Sequence, residues 1–230
     1  MKTCMVTVMI ALVGTGAWAG ETAGAPGPLS AEQTLPLAQE GRDAYQPAVA
    51  WGGGVFLVAW KSGHLGEGDL REGFDYIGDL AACRIDKTGK VLDAEPFIIS
   101  DAGDLQERPR MASDGKDFLI VWQDYRNGKD WDVYATRVTP HGKVLDPNGI
   151  LVAGGPHSQA LPELAWNGKT FQVVWQDYRS GKRYEVWGAR VRPDGTVVDP
   201  KGRRLVSERP PYQRFGPVAA GDVAKGRSLV

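Results

Sequence analysis

The amino-acid sequence predicts an all-β protein, a β-propeller of four-stranded antiparallel blades, and three observations support that fold class. Residues 118–126 (FLIVWQDYR) return at residues 171–179 (FQVVWQDYR), 53 positions later. A shorter copy at residues 56–60 (FLVAW) precedes the first by 62 positions. The copies are joined by Gly-rich turns with no helical pattern between them. Repetition at this period is typical of stacked β-units.

The second copy shows how one blade is built. The Asp-Gly pair at 114–115 tolerates positive φ and predicts a tight hairpin between residues 110–113 and 118–122. The run 118–122 is apolar without interruption, which predicts a strand buried on both faces. A polar loop follows, and residues 132–138 and 150–152 supply the third and fourth strands. Four antiparallel strands per unit match a propeller blade.

The same pattern sets the predicted boundaries. Blades are expected at about 47–100, 109–153 and 162–207, and a fourth copy begins at 217–230. A β-solenoid is an alternative with usually shorter repeats, and a sandwich is an alternative that would not repeat its sequence. Because the fourth copy ends before its Trp, we expect about three blades, the start of a fourth and an incomplete ring. Residues 34–38 are a candidate outer strand for the last blade.

The N-terminal residues 1–19 have the pattern of an export signal. Lys2 is followed by the mostly apolar run 6–13, and Ala17-Trp18-Ala19 provides a small-x-small cleavage site. A flexible segment is expected at 20–33 and the propeller at 34–230. No run is long enough to span a bilayer. The expected location is therefore outside the cytoplasm: extracellular, at the cell surface or in the periplasm.

Charge and cysteine content exclude several classes of function. Removal of the signal changes the formal net charge from −1 to −2, which does not favour nucleic acid or an anionic membrane as partner. It also removes Cys4 and leaves Cys83 alone, so stability must come from packing rather than from an intrachain disulfide. No phosphate loop, dinucleotide fingerprint, zinc spacing or nucleophile signature is present, so no cofactor, metal or catalytic residue is predicted.

The repeat pattern resembles a known group of proteins. Val-Val-Trp-Gln-Asp-x-Arg, a strand ending in Ala-Arg-Val and a following Asp-Gly are similar to repeats of exported bacterial β-propeller proteins, loosely grouped as sialidase-like. The resemblance covers about residues 47–230 and implies a fold rather than an activity. The Ser-x-Asp-x-Gly-x-x-Trp turn of sialidase-like enzymes is absent, which argues against hydrolase activity. The Trp-x-Asp-x-Arg region also resembles TolB-type propeller repeats.

The loops that follow the second strand of each blade carry the candidate ligand site. Arg binds a carboxylate through two parallel hydrogen bonds, so Asp and Arg in these loops could hold a sugar acid. Alternatively, each Asp caps its own turn and pairs with the Arg of the same loop. Trp131 with Tyr125 or Tyr178 could form a sugar-stacking platform, or these rings could belong to the core. The candidate residues are Asp124, Tyr125, Arg126, Trp131, Asp177, Tyr178 and Arg179.

The first copy differs from the others in its long loop between residues 61 and 78. Asp69, Glu72 and Asp75 could bind a hard cation there, but their spacing matches no calcium loop, and a mobile acidic surface loop is the alternative. The preferred hypothesis is an exported, non-enzymatic propeller whose loop face binds a glycan or a protein. The alternatives are a sialidase-like glycoside hydrolase with part of its site in further blades, and a structural repeat segment of a large surface protein.

Overall fold

A computed structural model describes residues 7–9, 34–37, 43–63, 78–205 and 216–230, and every regular element in these ranges is a β-strand. Strand β1 (Thr7–Met9) lies within the predicted export signal and pairs antiparallel with β2 (Thr34–Pro36). Among the described residues, 34–36 of the candidate outer strand (34–38) pair with β1, and a role for this segment in the last blade stays a prediction. Leu37, which follows it, is buried against the first blade beside Trp60.

The next twelve strands form three four-stranded sheets, and each sheet is antiparallel with its strands in chain order. These sheets are the blades, and the prediction of an all-β fold with four-stranded antiparallel blades is confirmed. The first blade comprises β3 (Asp43–Gly52), β4 (Val55–Gly63), β5 (Gly78–Asp86) and β6 (Phe97–Ser100).

The second and third blades repeat this order, and a two-stranded hairpin follows them. The second blade comprises β7 (Gln106–Ser113), β8 (Phe118–Asp124), β9 (Asp132–Val138) and β10 (Ile150–Ala153). The third comprises β11 (Gln159–Trp166), β12 (Phe171–Asp177), β13 (Glu185–Val191) and β14 (Arg203–Arg204). The hairpin comprises β15 (Ala220–Asp222) and β16 (Arg227–Leu229).

The first strand of each sheet is the inner strand, because β3 contacts β7, β7 contacts β11 and β11 contacts β15. Each inner strand of the three blades is interrupted by a bulge, where a non-glycine residue with positive φ precedes a proline. The three bulge residues are Gln46, Arg108 and Leu161, with φ of 54°, 55° and 53°. Their equivalent positions show that the bulge belongs to the repeat.

The inner strands begin at the same end of the blades as the loops between second and third strands, because the sheets are antiparallel. We call this the loop end. In the second and third blades it carries the loops 125–131 and 178–184 and the connections 101–105 and 154–158. Residues that follow the second strand therefore share one end with the residues that begin the inner strands.

Tryptophan-bearing faces pack each blade against the blade before it. Trp122 and Trp175 occupy equivalent positions and are fully buried. Truncation of such a side chain typically costs about 3–5 kcal/mol, so these contacts are a large part of the stability. The first interface includes Leu57, Ala59, Leu80, Ala82, Phe118, Ile120 and Trp122, and the second includes Leu119, Val121, Val133, Ala135, Phe171, Val173 and Trp175.

An arginine on the third strand of each of the first two blades adds polar contacts to the next blade. Arg84 pairs with Asp93 at 2.6 Å and also donates to the carbonyl oxygen of Pro140 in the second blade. Arg137 makes the equivalent pair with Asp146 and donates to Pro193 O in the third. Arg84 and Arg137 therefore each link their own blade to the next one.

Candidate functional site

The Asp-x-Arg motif of the second blade forms a saturated ion pair at the end of β8. The Asp124 side chain is fully buried, and its two oxygens accept four hydrogen bonds. Trp122 Nε1 donates at 2.7 Å, the Arg126 backbone N–H at 2.9 Å, and the guanidinium through Nε and Nη2 at 2.8 and 2.6 Å. Arg126 also donates to Asn148 O and covers the Tyr134 ring at 3.9 Å.

The third blade repeats this arrangement. Trp175 Nε1 donates to Asp177 at 2.7 Å, and Arg179 binds the same carboxylate through its backbone N–H and guanidinium. Neither carboxylate keeps an accessible acceptor site, so the geometry matches the cap-and-pair alternative. We interpret Asp124, Arg126, Asp177 and Arg179 as staples that join a buried tryptophan to its loop. Ligand binding by these residues stays a prediction.

Two aromatic groups stand beside these staples at the loop end. The rings of Tyr125 and Trp131 lie 5.1 Å apart at 60°. Tyr178 instead contacts His157 at 5.7 Å and Tyr184 at 4.7 Å. Of the two pairings predicted for Trp131, the structure brings together the one with Tyr125.

Ser158 and its neighbour connect the two aromatic groups. The Trp131 backbone N–H approaches Ser158 Oγ at 3.4 Å, and the Gln159 N–H donates to Trp131 O at 2.6 Å. Ser158 O in turn accepts the Tyr178 N–H at 2.9 Å. Tyr125, Trp131 and Tyr178 are all half-buried, and His157 is exposed. Hydrogen bonds through Ser158 and Gln159 therefore link the segments that carry the aromatic groups of two blades at the loop end.

The inner strands add charged groups that sequence reasoning missed. Glu107, near the start of β7, accepts a hydrogen bond from Lys61 Nζ at 2.7 Å and one from Gln123 Nε2 at 3.3 Å. Lys61 belongs to the first blade and is almost fully buried, whereas 20% of the Glu107 side chain is exposed. A usable signal existed, because the equivalent positions of the other copies hold Tyr45 and Ala160.

A second ion pair joins neighbouring inner strands. Arg110 Nε on β7 lies 2.6 Å from Glu163 Oε1 on β11. The two residues occupy equivalent positions of adjacent blades, 53 residues apart in the sequence. The Glu163 side chain is 28% exposed, whereas those of Asp124 and Asp177 are fully buried. Glu107 and Glu163 are therefore partly exposed carboxylates on adjacent inner strands, unlike the two aspartates.

Other candidates lie outside this arrangement. Asp69, Glu72 and Asp75 of the long loop lie outside the described residues. Within the described ranges, no three His, Cys, Asp or Glu side chains are grouped as a metal site would require. Burial raises the pKa of the Cys83 thiol to about 12, so this cysteine is a core residue rather than a nucleophile. The described part of the chain also has no helix long and apolar enough to cross a membrane.

Structural comparison places the blades in a known fold. The chain aligns with an alpha-L-arabinanase from Penicillium chrysogenum, solved with arabinobiose, with a TM-score of 0.50 and 12% identity over 78% of this chain and 54% of that one. The fold is a β-propeller. The alignment thus confirms the fold class predicted from the repeats.

Two further solved structures align with the propeller at similar scores. An alpha-L-arabinofuranosidase from Lactobacillus brevis gives a TM-score of 0.49 and 13% identity over 74% of this chain and 56% of that one. A beta-xylosidase, RS223, gives a TM-score of 0.49 and 10% identity over 72% of this chain and 60% of that one. The chain spans little more than half the length of these structures. No protein-family model matches the sequence, and no curated protein matches it.

Proposed function

We propose that this protein is a carbohydrate-active β-propeller that binds a saccharide at the loop end and hydrolyses a glycosidic bond there. The observation that carries the proposal is the pair of accessible glutamates, Glu107 and Glu163, on adjacent inner strands. The fold supports it, because the solved structures named above are an arabinanase, an arabinofuranosidase and a xylosidase. The proposal reverses the preference for a non-enzymatic module that the sequence alone suggested.

The chemistry needs two carboxyl groups beside one sugar. Glycoside hydrolases commonly use one carboxyl to protonate the leaving oxygen and a second to activate water or to attack the anomeric carbon. Lys61 and Gln123 hold Glu107 in place, and Arg110 holds Glu163. The aromatic surface formed by Tyr125 and Trp131 offers flat rings on which a sugar can stack.

Incubation with arabino- and xylo-oligosaccharides, followed by chromatography of the products, tests the proposal. Replacement of a general acid or base typically lowers the rate by about 10²–10⁴-fold, so Glu107→Gln and Glu163→Gln are expected to lose that much activity. Glu185→Gln is the matched control, because Glu185 is also ion-paired but lies on β13, outside the inner strands. Equal loss in all three variants, or no binding of any saccharide, contradicts the proposal.

A second candidate function is saccharide binding without hydrolysis. It is favoured by the ion pairs, since both glutamates already have a cationic partner, and by the accessible rings of Tyr125 and Trp131. Binding that survives Glu107→Gln and Glu163→Gln but is lost in Trp131→Ala, with no product from any oligosaccharide, would establish it.

Export of the protein and a relationship to sialidase-like propellers are also proposals. Export rests on the charged, apolar and small-residue pattern of residues 1–19. Expression in a bacterium should yield a protein outside the cytoplasm, with a mass that corresponds to a chain starting at Gly20. A cytoplasmic protein with the full mass would contradict export. A closer tie to sialidase-like propellers than to other propellers rests on the repeat pattern alone.

A further inference from the structure

Arg108 is an inner-strand residue that the repeat does not explain. It occupies the bulge of β7 with a φ of 55°, and the same backbone position holds Gln46 in the first blade and Leu161 in the third. All three adopt positive φ before a proline, so the fold requires the backbone conformation but not an arginine. Functional residues are expected where structurally equivalent positions differ.

Arg108 also lacks the acidic partner that most described arginines have. The arginines that follow the second strands, Arg126 and Arg179, are neutralised by Asp124 and Asp177. Arg108 is exposed and makes no ion pair among the described residues, and its neighbour Glu107 is bound instead by Lys61. Its positive charge is therefore available at the start of the inner strands.

The backbone at this position is held firmly. The Arg108 N–H donates to Gln46 Oε1 of the first blade at 2.7 Å, and the following Pro109 is buried. The guanidinium takes no part in these contacts. The structure therefore fixes the Cα of Arg108 beside Glu107 and leaves the side chain free to bind.

We propose that Arg108 binds the carboxylate of an acidic sugar, so that the saccharide bound at the loop end contains a uronic acid. The inference rests on the proposed function and specifies its substrate class. A guanidinium presents two parallel N–H groups that match a carboxylate, which gives it selectivity for an acid over a neutral sugar. The sequence placed this role on Arg126 and Arg179, and the structure assigns it to Arg108, an arginine at the start of an inner strand with no ion pair among the described residues.

Calorimetric titration with galacturonic acid trisaccharides and their methyl esters tests the proposal on the full chain. The ester keeps the sugar ring and removes only the charge. The unmodified protein is expected to bind the acid at least about 10-fold more tightly than the ester. Arg108→Gln should weaken acid binding by about 10- to 100-fold, the size of one charge-assisted contact, and leave ester binding unchanged.

Two features make the variants informative. Gln already occupies the equivalent position of the first blade at the same φ, so Arg108→Gln should melt like the unmodified protein. Arg192→Gln is the matched control, because Arg192 is exposed, also lacks an ion pair among the described residues and lies in the turn after β13, at the opposite end of the blades.

The outcomes separate the two proposals. Loss of the acid preference in Arg108→Gln but not in Arg192→Gln supports the inference. Equal binding of acid and ester, or equal effects of both variants, overturns the inference and leaves saccharide binding intact. Failure to bind either trisaccharide or any neutral oligosaccharide overturns the proposed function as well.

Discussion

Replacement of Asp124 by alanine tests whether the Asp-x-Arg motif is a structural staple. The substitution removes the acceptor of the fully buried Trp122 Nε1 and the acceptor of the Arg126 backbone N–H. It also leaves the Arg126 guanidinium, 22% exposed, without its counter-ion. The effect is therefore larger than that of a lost turn cap alone.

The magnitude follows from these losses. A buried donor left without a partner costs about 1–3 kcal/mol, and a lost side-chain cap costs about 0.5–2 kcal/mol. The unpaired arginine adds to this, although its exposure keeps the cost well below that of a fully buried ion. We expect Asp124→Ala to lower the free energy of unfolding by about 3–5 kcal/mol.

Urea unfolding followed by tryptophan fluorescence measures this change. Asp101→Ala is the control, because Asp101 is exposed and a surface substitution usually changes stability by less than about 0.5 kcal/mol. Asp177→Ala should match Asp124→Ala, since the third blade has the same contacts. Unchanged unfolding of Asp124→Ala together with lost saccharide binding would refute the staple and return the residue to the ligand site.

Three further predictions concern burial and close packing. Burial raises the pKa of the Asp132 carboxyl, so its ionisation at neutral pH opposes folding. Asp132→Asn should therefore raise the melting temperature at pH 7. This gain should shrink below about pH 4, where the carboxyl is protonated in both the folded and the unfolded state. A gain independent of pH would contradict this account. A Cβ on Gly52 would lie 1.9 Å from Ser113 Oγ, so Gly52→Ala should lower the free energy of unfolding by about 1–3 kcal/mol. Gly103→Ala is the control, because Gly103 has open space around it and its substitution should cost little stability. Equal losses of stability in the two variants would argue against the close approach at Gly52. Cys83 should resist iodoacetamide at pH 8 until the protein is denatured, as peptide mass mapping would show, and rapid native labelling would contradict its burial.

Much of the fold could be predicted from sequence because its determinants are local and repeated. The Asp-Gly turn at 114–115 and the apolar run that becomes β8 lie within a few residues of each other, and both recur in similar form. The bulges were harder to find, because positive φ at Arg108 or Leu161 is not signalled by residue type. The prolines that follow each bulge were the available signal.

The candidate site was less predictable because its contacts cross between blades. The partner of Glu107 is Lys61, 46 residues earlier, and the partner of Glu163 is Arg110, 53 residues earlier. Nothing in the local sequence around either glutamate indicates these pairs. The Asp124 contacts, in contrast, are two residues apart in the chain, and sequence reasoning anticipated that pairing as one of its alternatives.

The contacts of the third-strand arginines Arg84 and Arg137 run in one direction along the series of blades, from each blade to the next. Arg84 reaches forward to the second blade and Arg137 to the third, and each is anchored by an aspartate nine residues later in its own blade. The acceptor on the following blade is a main-chain oxygen, which every residue type supplies. A gene segment that encodes one blade thus encodes both the arginine and the aspartate that positions it. Duplication of that segment would add a blade that can already hydrogen-bond to the blade after it.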